Sequence, residues 1–198
     1  MSQLMIFLDP CSAPSRLALP ALIGFCHSLN VIAHWYPFRA PPERRPPREN
    51  DADVRQRHQR IRQEYRDHDQ ARYAQWLSLS LERPLSAQDR DLIDYAILRT
   101  GTTAECPHFL TALTERLWGP DKRAINAAEL AELSGITDLA TTFAEHGPVH
   151  LAKAQKEIEP LGIFDAPACL VEGELFIGRQ HLPAIRHLLT QGDPFSPQ

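Results

Sequence analysis

No two cysteines in this chain stand at C-x-x-C spacing, and no Cys/His set has the spacing of a zinc site. The four cysteines, Cys11, Cys26, Cys106 and Cys169, are scattered. A sequence-local dithiol is therefore excluded, and a metal centre is not expected. The chain also lacks a long apolar run. Nothing approaches the roughly 18 to 20 apolar residues that cross a bilayer, so no membrane association is expected. There is no basic excess either: the formal net charge is -4, which offers nothing to draw nucleic acid or anionic lipid. The opening MSQLMIFLD has no basic start and only a short apolar stretch ended by Asp9, unlike a secretory signal. The expected location is cytoplasmic, where thiols stay reduced.

What is present has a clear order. Residues 4–8 (LMIFL) are a short continuous apolar run, as in a buried strand. Leu17, Leu19, Leu22, Ile23, Phe25 and Cys26 then recur at three- and four-residue steps, which predicts a helix ending at Asn30. Pro14 suits its first turn, whereas Pro20 lies inside it and predicts a kink. Residues 31–36 (VIAHWY) read as a second strand. Residues 37–48 (PFRAPPERRPPR) are too proline-rich for a helix or inner strand and mark a boundary.

A long helical block follows. Residues 51–77 are highly charged, with a narrow stripe through Ile61, Tyr65, Tyr73, Trp76 and Leu77, which predicts a surface helix. Ser86 and Asp89 form an S-x-x-D start signal for a helix ending at Gly101. Further helices are predicted over residues 103–118, from Asn126 to Gly135, from Thr137 to Gly147, and over 148–160. The tail then reverts to β: residues 168–172 and 174–177 flank Gly173 as a hairpin, and 180–189 form a last helix. The order is βαβ, helices, ββα. The fold class expected is α/β, a thioredoxin-like fold with a large all-helical insertion. Residues 1–40 and 160–192 form the thioredoxin-like domain, 41–159 the insertion, and 193–198 a loose tail.

Three places could carry chemistry. Cys11 and Ser12 stand where a strand enters a helix, and free N–H groups and the positive dipole end favour an anion there. Cys11 could supply a thiolate of lowered pKa, or Ser12 could donate its O–H to a thiolate brought by a ligand. The plain alternative is an N-cap serine beside a buried cysteine. The second place is Ala166-Pro167, just before a strand. In this topology a cis-proline there would present the backbone before it to an extended ligand; an ordinary trans proline is the alternative. Cys169 reads as core. The third is Gly178-Arg179-Gln180, opening the last helix, where N–H groups and Arg179 could hold a carboxylate or merely cap the helix. Arg39, Arg44, Arg45 and Arg48 read as a solvated basic face, and Cys106-Pro107-His108 as a helix start.

These residues resemble a family. Asp9, Ser12, Leu17 and Ala18 match the D-x-x-S-P-[YF]-x-[YF]-L-A pattern of 2-hydroxychromene-2-carboxylate isomerases and kappa-class glutathione transferases. Tyr65, Asp69, Arg72 and Ala74 match their Y-x-x-x-D-x-x-R-x-A helix. Near the end, Gly162, Phe164, Pro167, Val171, Gly173, Glu174, Phe176, Gly178 and Leu182 fall in register. The resemblance covers almost the whole chain and places it among DsbA-like thioredoxin-fold proteins.

The resemblance implies glutathione as cofactor, with Ser12 rather than Cys11 holding its sulfur. It implies Ala166 and Pro167 along the cysteinyl part, and Arg179 and Gln180 near the γ-glutamyl end. It also implies a small-molecule substrate of the kind met in aromatic degradation, and a homodimer. The chain departs from the family at Ala13, Pro14, Arg16, Gln180 and His181, and Arg44-Arg45-Pro46-Pro47 lacks the family's asparagine. Two other functions stay open: a DsbA-like thiol-disulfide oxidoreductase using Cys11, and a non-catalytic binding protein of the same fold.

Overall fold

The computed structural model describes residues 3–39, 54–82, 90–121 and 123–191. Strand β1 (Leu4–Leu8) is apolar because both its faces are covered. Leu4, Ile6 and Leu8 join one core cluster, while Phe7 joins another with Ile158 and Ala168. Helix α1 (Ala13–Leu29) starts with Ser12 as N-cap and Pro14 in its first turn. It runs through Pro20 as one element. Asn30, at φ 51°, caps its end, its N–H donating to the carbonyls of the last turn. Strand β2 (Ala33–Pro37) then pairs in parallel with β1.

Strand β3 (Ala168–Val171) returns antiparallel to β1, and β4 (Glu174–Ile177) antiparallel to β3, giving the order β2-β1-β3-β4. The hairpin turn has positive φ at both Glu172 and Gly173, as a two-residue turn matching strand twist requires. A 3-10 turn (Arg179–His181) leads into the C-terminal helix, Leu182–Gln191.

Between β2 and β3 come α2 (Val54–Leu77), α3 (Arg90–Thr100), α4 (Cys106–Trp118), α5 (Ala127–Ser134) and α6 (Leu139–Ile158); the C-terminal helix is α7. The surface position expected of α2 is observed. Gln63 and Ala74 are its buried residues, and Ile61, Tyr65 and Trp76 face outward. The start signal at Ser86, the arginines 44, 45 and 48, and the tail at 193–198 lie outside the described residues.

One expectation is overturned. The two helices predicted to meet at Gly147 are a single helix, α6, with Asp138 rather than Thr137 at its cap. Gly147 is there for packing: a Cβ would lie 2.2 Å from the Phe143 ring. Pro148 lies inside this helix, where it cannot donate the N–H that would reach Ala144.

The insertion and the sheet share their core. Leu4, Ile6 and Trp35 belong to one cluster with Ile93, Ile97, Leu110 and Leu113. At its edge the end of α3 presses on β2. Trp35 N–H donates to Gly101 O at 2.8 Å, and a Cβ on Gly101 would lie 2.1 Å from Trp35 O. Cys169 fills the core between these layers, and burial pushes its thiol up to about 12.

Candidate functional site

The turn from β1 into α1 is organised by Asp9. Its side chain is buried, and Oδ1 accepts the Cys11 N–H at 2.9 Å and Arg90 Nη2 at 2.9 Å. The Asp9 N–H donates to Ser15 Oγ at 3.1 Å. Ser12 then closes the turn: its N–H and its O–H both donate to Asp9 O, at 3.0 and 3.1 Å. Ser12 Oγ in turn accepts the Ser15 N–H at 3.3 Å, so Ser12 is the N-cap of α1. The residue is half-buried, with its hydroxyl at the positive end of a 17-residue helix. A hydroxyl hydrogen rotates, so Ser12 can keep its capping role as acceptor while donating to an anion instead of Asp9 O.

Cys11 behaves differently from the thiolate expected at a helix N-terminus. It is half-buried against the main core, and burial pushes its thiol up to about 11, although Arg90 beside it pulls the other way. Desolvation outweighs the dipole and the guanidinium, so Cys11 is a neutral thiol near pH 7.

Pro167 lies one residue beyond the Phe7–Ala168 pair of β1 and β3, at the same end of the sheet as Ser12. The Ala166–Pro167 bond is cis. Pro167 O accepts the Gly178 N–H at 2.8 Å, which ties this turn to the start of the last helix. Ala166 is 2% exposed, and its N–H donates to Asp165 Oδ1 at 2.8 Å. Asp165 thus takes the donor that an extended ligand would use.

Arg179 reaches back to the same end. Nη1 donates to Leu17 O at 3.4 Å, and the guanidinium lies 3.4 Å from the centroid of the Tyr73 ring on α2. It therefore clamps α1, α2 and the last helix together. Gln180 is exposed and bonds its own turn, with Nε2 donating to Ile177 O at 2.9 Å. Ser12, Ala166–Pro167 and Arg179 are brought to one edge. Gln180 serves its own turn.

Several residues here carry no local sequence signal. Arg39 reads as solvated in sequence, yet its Nε bonds Asp94 Oδ2 at 2.6 Å and its Nη2 pairs with Asp91. Burial pushes the Asp94 carboxyl up in spite of Arg39 and Arg90. Asp94, Arg90 and Arg39 come from segments far from Asp9, and only folding joins them. Trp118 donates to Pro10 O at 2.8 Å, bringing α4 to the same turn. Cys106 is buried at the start of α4, the helix start expected, and burial pushes its thiol up to about 12. No group of three or more metal-ligating side chains occurs among the described residues, and no helix there is long and apolar enough to cross a membrane.

No family model matches the sequence, and no curated protein matches it. Solved structures do match. A 2-hydroxychromene-2-carboxylate isomerase superposes with a TM-score of 0.67 at 17% identity, over 98% of this chain and 99% of that one. A protein-disulfide isomerase candidate from Pseudomonas syringae superposes with a TM-score of 0.50 at 15% identity, over 93% of each chain. With its βαβ…ββα order and the helices between β2 and β3, this chain has the DsbA-like thioredoxin fold.

Proposed function

We propose that this protein is a glutathione-dependent isomerase or transferase of the 2-hydroxychromene-2-carboxylate isomerase or kappa type, acting on a small conjugated substrate. The observation that carries the reading is the Ser12 hydroxyl, half-exposed at the N-terminus of α1 and on the same edge as the cis Ala166–Pro167 turn. Bound glutathione would supply a thiol that adds reversibly to a conjugated carbon, so no net redox change is needed. Ser12 donates its O–H to the sulfur and favours the thiolate, and the helix dipole adds to the effect. Asp9 and Arg90 hold the turn that carries Ser12, whose hydroxyl hydrogen must turn from Asp9 O toward the sulfur. Arg179, at the start of the last helix, is the residue this reading assigns to the γ-glutamyl end. Asp165 must release the Ala166 N–H if the cysteinyl backbone is to pair there.

The neighbour at 0.67 favours this reading in fold, and the Ser12 register with the family favours it in chemistry. A disulfide oxidoreductase built on Cys11 is the competing reading, favoured by the second neighbour. A thiol pushed up to about 11 and the absence of a second cysteine in the turn weigh against it. A cytoplasmic homodimer belongs to the same proposal. The test is a turnover assay with glutathione and an enone. Ser12→Ala abolishes turnover on this reading, whereas loss with Cys11→Ser and not with Ser12→Ala transfers the chemistry to Cys11. Absence of turnover in any form leaves the non-catalytic binding protein.

A further inference from the structure

Arg16 stands one helical turn beyond Ser12, its N–H donating to Ser12 O at 3.0 Å. It is 8% exposed. Nε donates to Ser80 O and Nη1 to Thr114 O, both at 3.0 Å. The guanidinium lies 5.4 Å from the centroid of Trp118, whose own N–H is held on Pro10 O. The charge is thus fixed beside the Pro10–Ser12 turn by α1, α4 and the segment after α2.

None of these partners is an anion. Among the described residues no carboxylate forms an ion pair with Arg16, and the acidic group whose field reaches it is the exposed Glu115. A nearly buried guanidinium without a counter-ion is costly, and the positive end of α1 adds a like-signed field. Among the described residues the third nitrogen, Nη2, has no partner, and it is not sealed from solvent. A charged guanidinium with a nitrogen left free in a low-dielectric setting favours an anionic oxygen as its acceptor, as a carboxylate supplies.

We propose that Arg16 anchors a carboxylate of the ligand that binds at the N-terminal end of α1. This rests on that edge being the ligand site, as the proposed function has it. The carboxylate belongs either to glutathione or to a second small molecule. Neutral ligands of the same shape are rejected, because they leave the Arg16 charge uncompensated.

Titration calorimetry of the full chain with benzoate and with its neutral isostere benzamide tests this. Benzoate binds at least about tenfold more tightly, Arg16→Met removes the difference, and Arg16→Lys restores part of it. Should Arg16→Met fail to fold, NMR of the wild type gives the same answer: benzoate, and not benzamide, shifts the Arg16 Nε–H resonance. Repeating the titration with saturating glutathione separates the two sources. Unchanged benzoate affinity assigns the carboxylate to a second ligand, and competition assigns it to glutathione. Equal binding of benzoate and benzamide, no benzoate binding at tens of millimolar, or an undiminished preference in Arg16→Met overturns the proposal. Glutathione is titrated separately. Its failure to bind beside intact benzoate binding sinks the glutathione reading and leaves Arg16 as an anchor.

Discussion

Arg90 Nη2 lies 2.9 Å from Asp9 Oδ1, and the same oxygen accepts the Cys11 N–H. A helix of the insertion therefore holds the carboxylate that shapes the β1–α1 turn. Trp118 of α4 also reaches this turn and Tyr73 of α2 meets Arg179, so helices between β2 and β3 contribute to the candidate site.

Removing Arg90 takes a charged partner from the buried Asp9 carboxylate. Arg90→Met is expected to cost about 2 kcal/mol, less than a fully buried pair because the Arg90 side chain is 26% exposed. Urea denaturation checks the value. Arg90→Met should also show faster amide exchange at Cys11, because its acceptor, Asp9 Oδ1, is no longer held by Arg90.

Cys11 has a thiol pushed from 9.0 to about 11. Alkylation by iodoacetamide at pH 7.5 is expected to be about 100-fold slower than for an unperturbed thiol, rising with pH until near 11. Mass spectrometry against a Cys11→Ser blank reads the rate. Fast alkylation at neutral pH would restore the thiolate that the helix N-terminus alone suggests.

Gly101 is fixed by close approach. Gly101→Ala places a Cβ against Trp35 O and pushes α3 off β2, with an expected loss of about 2 to 3 kcal/mol. Thermal melts measure it. Gly135→Ala, with open space around its Cβ but a φ of 70°, is expected to cost only about 1 kcal/mol.

Asp94 links stability to pH. Burial, helped by the nearby Asp9 charge, raises its carboxyl above 3.8 in the folded protein, against Arg39 and Arg90. The folded state then binds more protons than the unfolded one in the window above about 3.8, so this residue's contribution falls as pH rises through that window. Asp94→Asn is expected to gain on the wild type between pH 4 and pH 7, measured as the difference of urea midpoints at each pH. A difference that moves the other way would mean that Arg39 dominates.

Much of the fold is legible because its signals are local. The apolar run of β1, the caps at Ser12, Asn30, Asn126 and Gly135, and the Glu172–Gly173 turn each act within a few residues. Gly147 misleads because a glycine that makes room for Phe143 looks the same in sequence as one that ends a helix. The site is legible only on its backbone side, at Ser12 and Pro167. Arg16, Arg39, Arg90 and Asp94 acquire their surroundings from partners 52 to 98 residues away, which spacing cannot show. Cys11 shows the same limit: the helix end visible in sequence favours a thiolate, and the burial that defeats it is tertiary.

The central claim is tested most directly by a crystal structure with glutathione, supported by calorimetry. The account predicts the glutathione sulfur within hydrogen-bond distance of Ser12 Oγ, with affinity lost in Ser12→Ala and kept in Ser12→Thr, which retains both cap and hydroxyl. A sulfur bonded to Cys11, or no binding at millimolar glutathione, would contradict it.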